Sequence, residues 1–390
     1  MKVSIDGPAF KQCLAIVEPI VGRGSVVDSS PTGLRITVNS KGLSVSGMDA
    51  DRSMKVTAKI PKDLISGVAD GSWLVYPKTL LAWSRLLSKD DHDAKVEIST
   101  TSGKTGGVIK YRQSKIKVFG LTEDRINNFT APNNKPLAIP APALLRGLDQ
   151  AYGVASQNSD KSHVLSFTHL VTGPGGLWVE ATDRAQFVRS LVLPREDMPE
   201  DAEDISVAID QDSAQVISKI IRTSGESELK WWVFSGRVYL QVGQVNVVFT
   251  GTSNEYPDLA KNLPAEDSYK SVLDVDVAAW ASAISEACVL GDVKRTRLHI
   301  EMDDKMVSMR TDSDQGSVNT VVEGAVWTHD PVHIEVRASS LRDRLTDSGQ
   351  STVRLGVPAP GGSLRVSSDG QDKYAAWVMP FQVEPLVARG

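Results

Sequence analysis

Apolar and polar residues alternate along much of this chain, as they do in half-buried strands, and the period lengthens to that of a helix at regular intervals. Phe10, Cys13, Leu14 and Val17 fall on one face of "PAFKQCLAIVEPIV". Leu144, Leu148 and Tyr152 do so in "APALLRGLDQAYGVAS", and Trp280, Ile284 and Cys288 in "VAAWASAISEACVLG". Three further segments read as a short strand running straight into a helix: "SWLVYPKTLLAWSRLLSK", "SVAIDQDSAQVISKIIRTSG" and "VHIEVRASSLRDRLTDSG". Gly225 and Gly349 are placed to stop the last two. Each set closes in a strand meander whose glycine-rich breaks suit hairpin turns, the last being "TVRLGVPAPGGSLRVSSDGQDKYAAWVMPF".

The pattern repeats. "GLSVSGMDADRSMKVTAKIP" from Gly42 and "GLWVEATDRAQFVRSLVLP" from Gly176 share Gly-Leu-x-Val-x-small-x-Asp, a polar corner and a second alternating strand ending in Pro61 or Pro194. A weaker copy, "MVSMRTDSDQGSVNTVVEG", starts at Met306. The spacing is about 130 residues, a third of the 390-residue chain. Proline-rich joints fall near residues 134 and 268. The sequence therefore predicts an α+β fold of three tandem repeats, each with two helices packed on β-sheets. The expected domains are 1–134, 135–268 and 269–390, the last with a short C-terminal tail.

Composition narrows the class. With 41% hydrophobic and 23% charged residues, the chain reads as globular. A net charge of −5 argues against a protein that clings to DNA over its whole surface, while leaving room for basic groups on one face. Cys13 and Cys288 lie far apart and read as small core residues in a reducing cytoplasm. No apolar run is long enough for a bilayer, and "MKVSIDGPAF" lacks the apolar stretch of a signal peptide, so no membrane partner is expected.

Candidate chemistry reads as structure. "SGKTGG" at 102–107 would need a glycine where Ile98 stands to complete a phosphate loop, and a hairpin turn fits it better. "GPGG" at 173–176 is read as a turn too. The six histidines show no metal-ligand spacing, and no serine sits in a nucleophile elbow. Asp183 and Arg184 could be a general base with its orienter. The corner recurs as Asp49-Ala50-Asp51-Arg52, which favours an aspartate that binds backbone amides. No catalytic residue, metal or cofactor is expected. A charge pattern stands out more: Lys78, Arg85 and Lys89 share a helical face, Lys219 and Arg222 do so in the second repeat, and Arg342 and Arg344 lie in the matching third helix. A solvated face is the ordinary explanation; a polyanion on that side is the other.

Three tandem units, the "ATDRAQFVRS" corner, "EYPDLAKNLP" from Glu255 and the closing "YAAWVMPFQV" together resemble the bacterial replicative sliding clamp, the β subunit of DNA polymerase III. The resemblance covers nearly the whole chain. It implies a head-to-tail homodimer closing into a six-domain ring, helices lining the hole and sheets forming the wall, with double-stranded DNA held by topology and without sequence preference. The residues expected to face DNA are Arg23, Lys78, Arg85, Lys89, Arg146, Lys219, Arg222 and Arg342. The family's peptide groove, used by polymerase, clamp loader and other partners carrying a clamp-binding motif, would be walled by Leu165, Thr182, Phe187, Pro257, Val378, Met379, Pro380 and Phe381, with Arg184, Gln186 and Lys261 beside it. The dimer contact would bring Ile116 and Val118 against Val289 and Leu290.

This chain departs from the family at Gln186 and Gln382, where basic residues are usual, at Lys261, where an arginine is common, and in seven extra residues, "EPLVARG". The departures imply a partner peptide of altered sequence. Two other functions remain open: a clamp-fold decoy that binds replication partners without encircling DNA, which charge reversal on the helices would leave unaffected, and a DNA-processing enzyme, which would need a carboxylate or histidine cluster.

Overall fold

The structure, a computed structural model, describes residues 1–21, 33–49, 54–91, 93–100, 106–120, 132–155, 164–234, 236–251, 256–258, 261, 263–264, 268–269, 271–303, 305–359, 362–368 and 373–385. Among them are six α-helices: α1 (Gly7–Val21), α2 (Pro77–Ser84), α3 (Ala141–Ala155), α4 (Gln211–Ser224), α5 (Val277–Ala287) and α6 (Ala338–Asp347). The strands form four antiparallel sheets, two of five strands and two of eight.

Local chemistry explains the helix ends. The Ala9 amide donates to Asp6 Oδ1 at 2.9 Å, and the Ala279 amide donates to Asp276 Oδ1 at 2.8 Å, so an aspartate starts the first helix in both the first and third repeats. Gly225 and Gly349 stop α4 and α6 in the left-handed region, at φ 68° and 69°. The helical faces marked in the sequence point inward: Phe10, Leu14, Val17, Leu144, Leu148, Trp280 and Ile284 are buried. Burying a side chain of that size contributes roughly 1.5–3 kcal/mol.

One helix is shorter than its sequence suggests. α2 ends at Ser84, whose hydroxyl donates back to Leu81 O at 2.7 Å. The next amides, of Leu86 and Leu87, reach only three residues back, to Trp83 and Ser84. Leu87 is drawn into the core, which turns the chain off the helical path. Arg85 is therefore the C-cap and Lys89 lies beyond the helix, so Lys78, Arg85 and Lys89 do not share one helical face.

The chain divides into two compact units, Met1–Leu145 with Asp212–Ser253, and Arg146–Gln211 with Asn254–Gly390. They cut across the repeats because strands of neighbouring repeats share sheets. In the first unit, the eight-stranded sheet runs Leu137–Pro140, Glu228–Phe234, Arg237–Val242, Val245–Thr250, Met54–Pro61, Gly42–Asp49, Leu34–Asn39, Gly71–Val75. Its central joint pairs Val247 with Val56. In the second unit the order is Ser206–Ile209, Thr168–Gly173, Gly176–Thr182, Gln186–Pro194, Tyr374–Val378, Leu364–Ser368, Thr352–Val357, Ser271–Asp276. Its joint pairs Phe187 with Trp377 and Val188 with Ala376.

The two joints use equivalent strands. Met54–Pro61 and Gln186–Pro194 each follow the Gly-Leu strand of their repeat, while Val245–Thr250 and Tyr374–Val378 each close a meander. The third pair of equivalents is Gly316–Val321 and Ser114–Phe119. Each is the last strand of a five-stranded sheet, with no outer neighbour among the described residues.

Candidate peptide groove on the sheet of the second unit

The corner between Gly176–Thr182 and Gln186–Pro194 is built by Asp183. Its Oδ1 accepts from the amides of Ala185 (2.9 Å) and Gln186 (2.7 Å), and its Oδ2 accepts from Gln186 Nε2 at 3.0 Å. Thr182 Oγ1 donates to Gln186 O at 2.6 Å and accepts from the Arg184 amide. Arg184 holds φ 78°, the strained point of the turn, and its side chain is exposed. Both oxygens of Asp183 are thus engaged in holding the corner. The buried Gln186 spends its amide on the same aspartate rather than presenting it to solvent.

The corner fixes the chain end that lies beside it. The Met379 amide donates to Ala185 O at 2.8 Å, and the Phe381 amide donates to Glu335 O at 2.7 Å. The segment between leaves Met379 and Phe381 exposed at 49% and 50%. The Arg297 guanidinium lies 4.5 Å from the Phe381 ring centroid.

One face of the sheet carries the helices: Tyr374 Oη donates to Arg344 O of α6 at 3.0 Å, and Ser190 bonds Gln150 of α3. The opposite face carries Phe187 and Trp377, stacked at 5.3 Å, with Tyr269 and Ala375 completing the cluster and Leu263 against it. Tyr269 reaches this place because residue 356 is glycine; a Cβ there would lie 2.8 Å from its ring. Its hydroxyl donates to Ser363 O at 2.9 Å.

A polar layer continues the same face. Arg189 Nε lies 2.9 Å from Glu180 Oε1, and the guanidinium sits 4.1 Å from the Trp178 ring centroid. Burial lowers the Arg189 pKa, opposed by the charges of Glu180 and Asp258. Tyr256 stacks on His169 at 4.6 Å, and burial beside Glu180 pushes its hydroxyl far up, so it stays neutral.

Thr182, Phe187, Met379, Pro380 and Phe381 therefore gather around the corner. Leu165 is buried in a short turn of 3-10 helix, Val164–Ser166, and Pro257 is exposed next to Tyr256. Lys261 is exposed and paired with Asp258 at 2.9 Å. Val378, only 1% exposed, turns toward the helices, one residue out of phase with Trp377. The aromatic partner of Phe187 is thus Trp377, which is absent from the groove expected from the sequence. Period-two alternation is the signal that could have found it, since it places Trp377 and Met379 on one face and Val378 on the other.

The basic residues stand as follows. Lys78, Arg85, Lys89, Lys219 and Arg222 are exposed, with Arg85 3.7 Å from Glu18. Arg146 and Arg342 are half-buried, the latter 3.1 Å from Asp343. Arg344 belongs to the core instead: it is 1% exposed and bound to Asp347 at 2.6 Å. Arg23 lies outside the described residues. At the open edges, Val118 is buried and Ile116 half-buried, while Phe119 is 75% exposed. Val289 is 70% exposed, and Leu290 lies against Gly316, where a Cβ would be 3.6 Å from Leu290 Cδ1.

Three strand-and-helix repeats sharing eight-stranded antiparallel sheets define the sliding-clamp fold, and this chain has it. The chain is similar in structure to the DNA polymerase III subunit β from Pseudomonas aeruginosa, with a TM-score of 0.83 and 18% identity over 98% of this chain and 100% of that one. The DNA polymerase sliding clamp from Bacillus subtilis matches with a TM-score of 0.83 and 17% identity over 97% of this chain and 98% of that one. A P. aeruginosa sliding clamp bound to griselimycin matches with 0.84 and 17% over 98% and 99%. No protein-family model matches the sequence, and no curated protein matches it. At such identities the likeness is one of fold.

Proposed function

We propose that this protein is a DNA sliding clamp: a head-to-tail homodimer that encircles duplex DNA, gives a replicative polymerase processivity and recruits partners through the groove at Thr182, Phe187 and Met379. The observation that carries this reading is the pair of open edges. Two of three equivalent strand joints are made within the chain, and each of the two strands of the third has, among the described residues, a neighbour on its inner side only. A second copy would close both edges, pairing Gly316–Val321 of one chain with Ser114–Phe119 of the other, with Val289 and Leu290 beside the seam. The repeats 1–134, 135–268 and 269–390 would then be the domains of a six-domain ring.

DNA inside such a ring needs only weak, salt-dependent, sequence-blind contacts, from Arg23, Lys78, Arg85, Lys89, Arg146, Lys219, Arg222 and Arg342. The protein itself would do no chemistry, need no cofactor and work in the cytoplasm; no helix among the described residues is long and apolar enough to cross a membrane. Polymerase, clamp loader and other motif-bearing proteins would dock apolar anchors against Met379 and Phe381. The test is retention on nicked circular DNA after loading, with release on linearisation. Equal retention on both forms overturns the topological mechanism, and a decoy would show no retention on either.

A further inference from the structure

Strand pairing in the second unit brings together three side chains that are distant in sequence. His299 lies on Arg297–Asp303, and His333 and Glu335 lie two residues apart on the neighbouring Val332–Arg337. His299 pairs in register with Glu335, so all three project from one face of the sheet. His299 Nδ1 is 3.2 Å from His333 Nε2 and 3.4 Å from Glu335 Oε1. One ligand atom from each of the three lies within 4.8 Å of the others. The side chains of His299 and Glu335 are only 17% exposed.

These spacings are those of a coordination sphere. Tetrahedral zinc, with bonds of about 2.0–2.2 Å to nitrogen and oxygen, holds its ligand atoms roughly 3.3–3.5 Å apart. The geometry points to a site for a divalent transition metal of the zinc class, held by His299 Nδ1, His333 Nε2 and Glu335 Oε1, with the fourth position left to water. The two carboxylate oxygens already have separate partners. Oε1 faces His299, while Oε2 lies 3.8 Å from Arg297 Nη1, an outer partner that fixes the orientation of the group. Arg310, paired in register with His299, has its own carboxylate in Asp312 at 3.5 Å, which offsets its charge beside the cation. The imidazoles stack at 5.4 Å with an interplanar angle of 4°, a geometry that one proton or one metal ion can bridge.

The site consists of these three side chains and is independent of whether the protein encircles DNA. The test is titration of Zn2+ into the metal-stripped full chain, followed calorimetrically. One ion per chain is expected, with affinity at least tenfold weaker in His333→Ala and Glu335→Gln and unchanged in His329→Ala. Circular dichroism establishes that each variant is folded. Cobalt on the unaltered chain gives an independent reading: intense visible bands mark four-coordinate binding by nitrogen and oxygen. Equal affinity in folded His333→Ala, no saturable binding, or the pale spectrum of six-coordinate cobalt overturns the proposal.

Discussion

Phe187 and Trp377 stack 5.3 Å apart across the strand pair that joins the second repeat to the third. The contact sits beside the corner where Met379 bonds Ala185, so the floor of the candidate groove and the seam between repeats are the same piece of structure. Removing the side chain of Met379 or Phe381, each half in solvent, should spare the fold. Met379→Ala and Phe381→Ala are each expected to weaken an apolar clamp-binding peptide about tenfold or more, measured by fluorescence polarisation. Unchanged affinity in both variants sinks the groove assignment.

Asp183 holds two backbone amides and one side-chain amide. Asp183→Ala is expected to lower unfolding free energy by about 1–3 kcal/mol in urea, because buried donors lose their acceptor. Asp183→Asn keeps one carbonyl oxygen for the amides and should lose less. A substitution with no effect on stability would remove the structural role argued for this corner.

The open edge at Gly316–Val321 depends on its backbone donors. Asn319→Pro deletes one of them, since the amides of Val318 and Thr320 face the neighbouring strand, and Phe119→Asp places a charge on the exposed ring position of the other edge. Both variants should shift sedimentation toward monomer at protein concentrations where the unaltered chain is dimeric. Three indistinguishable profiles would point to an interface elsewhere.

Burial pushes the Cys13 thiol up to about 12 and raises Cys288 as well. Neither should form appreciable thiolate at neutral pH. Thiol-reactive reagents are expected to modify both only in denaturant. Rapid labelling of the folded protein would contradict the burial of Cys13.

The fold was legible in the sequence where short-range physics decides. Helical spacing at Phe10, Leu14 and Val17, glycine stops at 225 and 349, and the recurring Gly-Leu strands all depend on neighbours within a few residues. The short α2 was not legible, because Leu87 leaves the helix for a core contact that no local propensity encodes. In the groove, the corner could be read and its aromatic floor could not: that Phe187 meets Trp377 depends on a pairing between strands of different repeats. His299 and His333 show the same limit, since spacing along the chain is silent about a pair made by sheet register.

The shared sheets also set a timetable for synthesis. Ala58 pairs with Val245, about 190 residues further along the chain. At a translation rate of about 5–20 residues per second, the Met54–Pro61 edge leaves the ribosome roughly 10–40 seconds before its partner exists. Throughout that interval the strand has one apolar face, from Met54, Val56, Ala58 and Ile60, and one edge whose backbone groups are open to another nascent chain. Expression of a fragment ending near residue 134 would make the interval permanent, and insoluble product is the expected result.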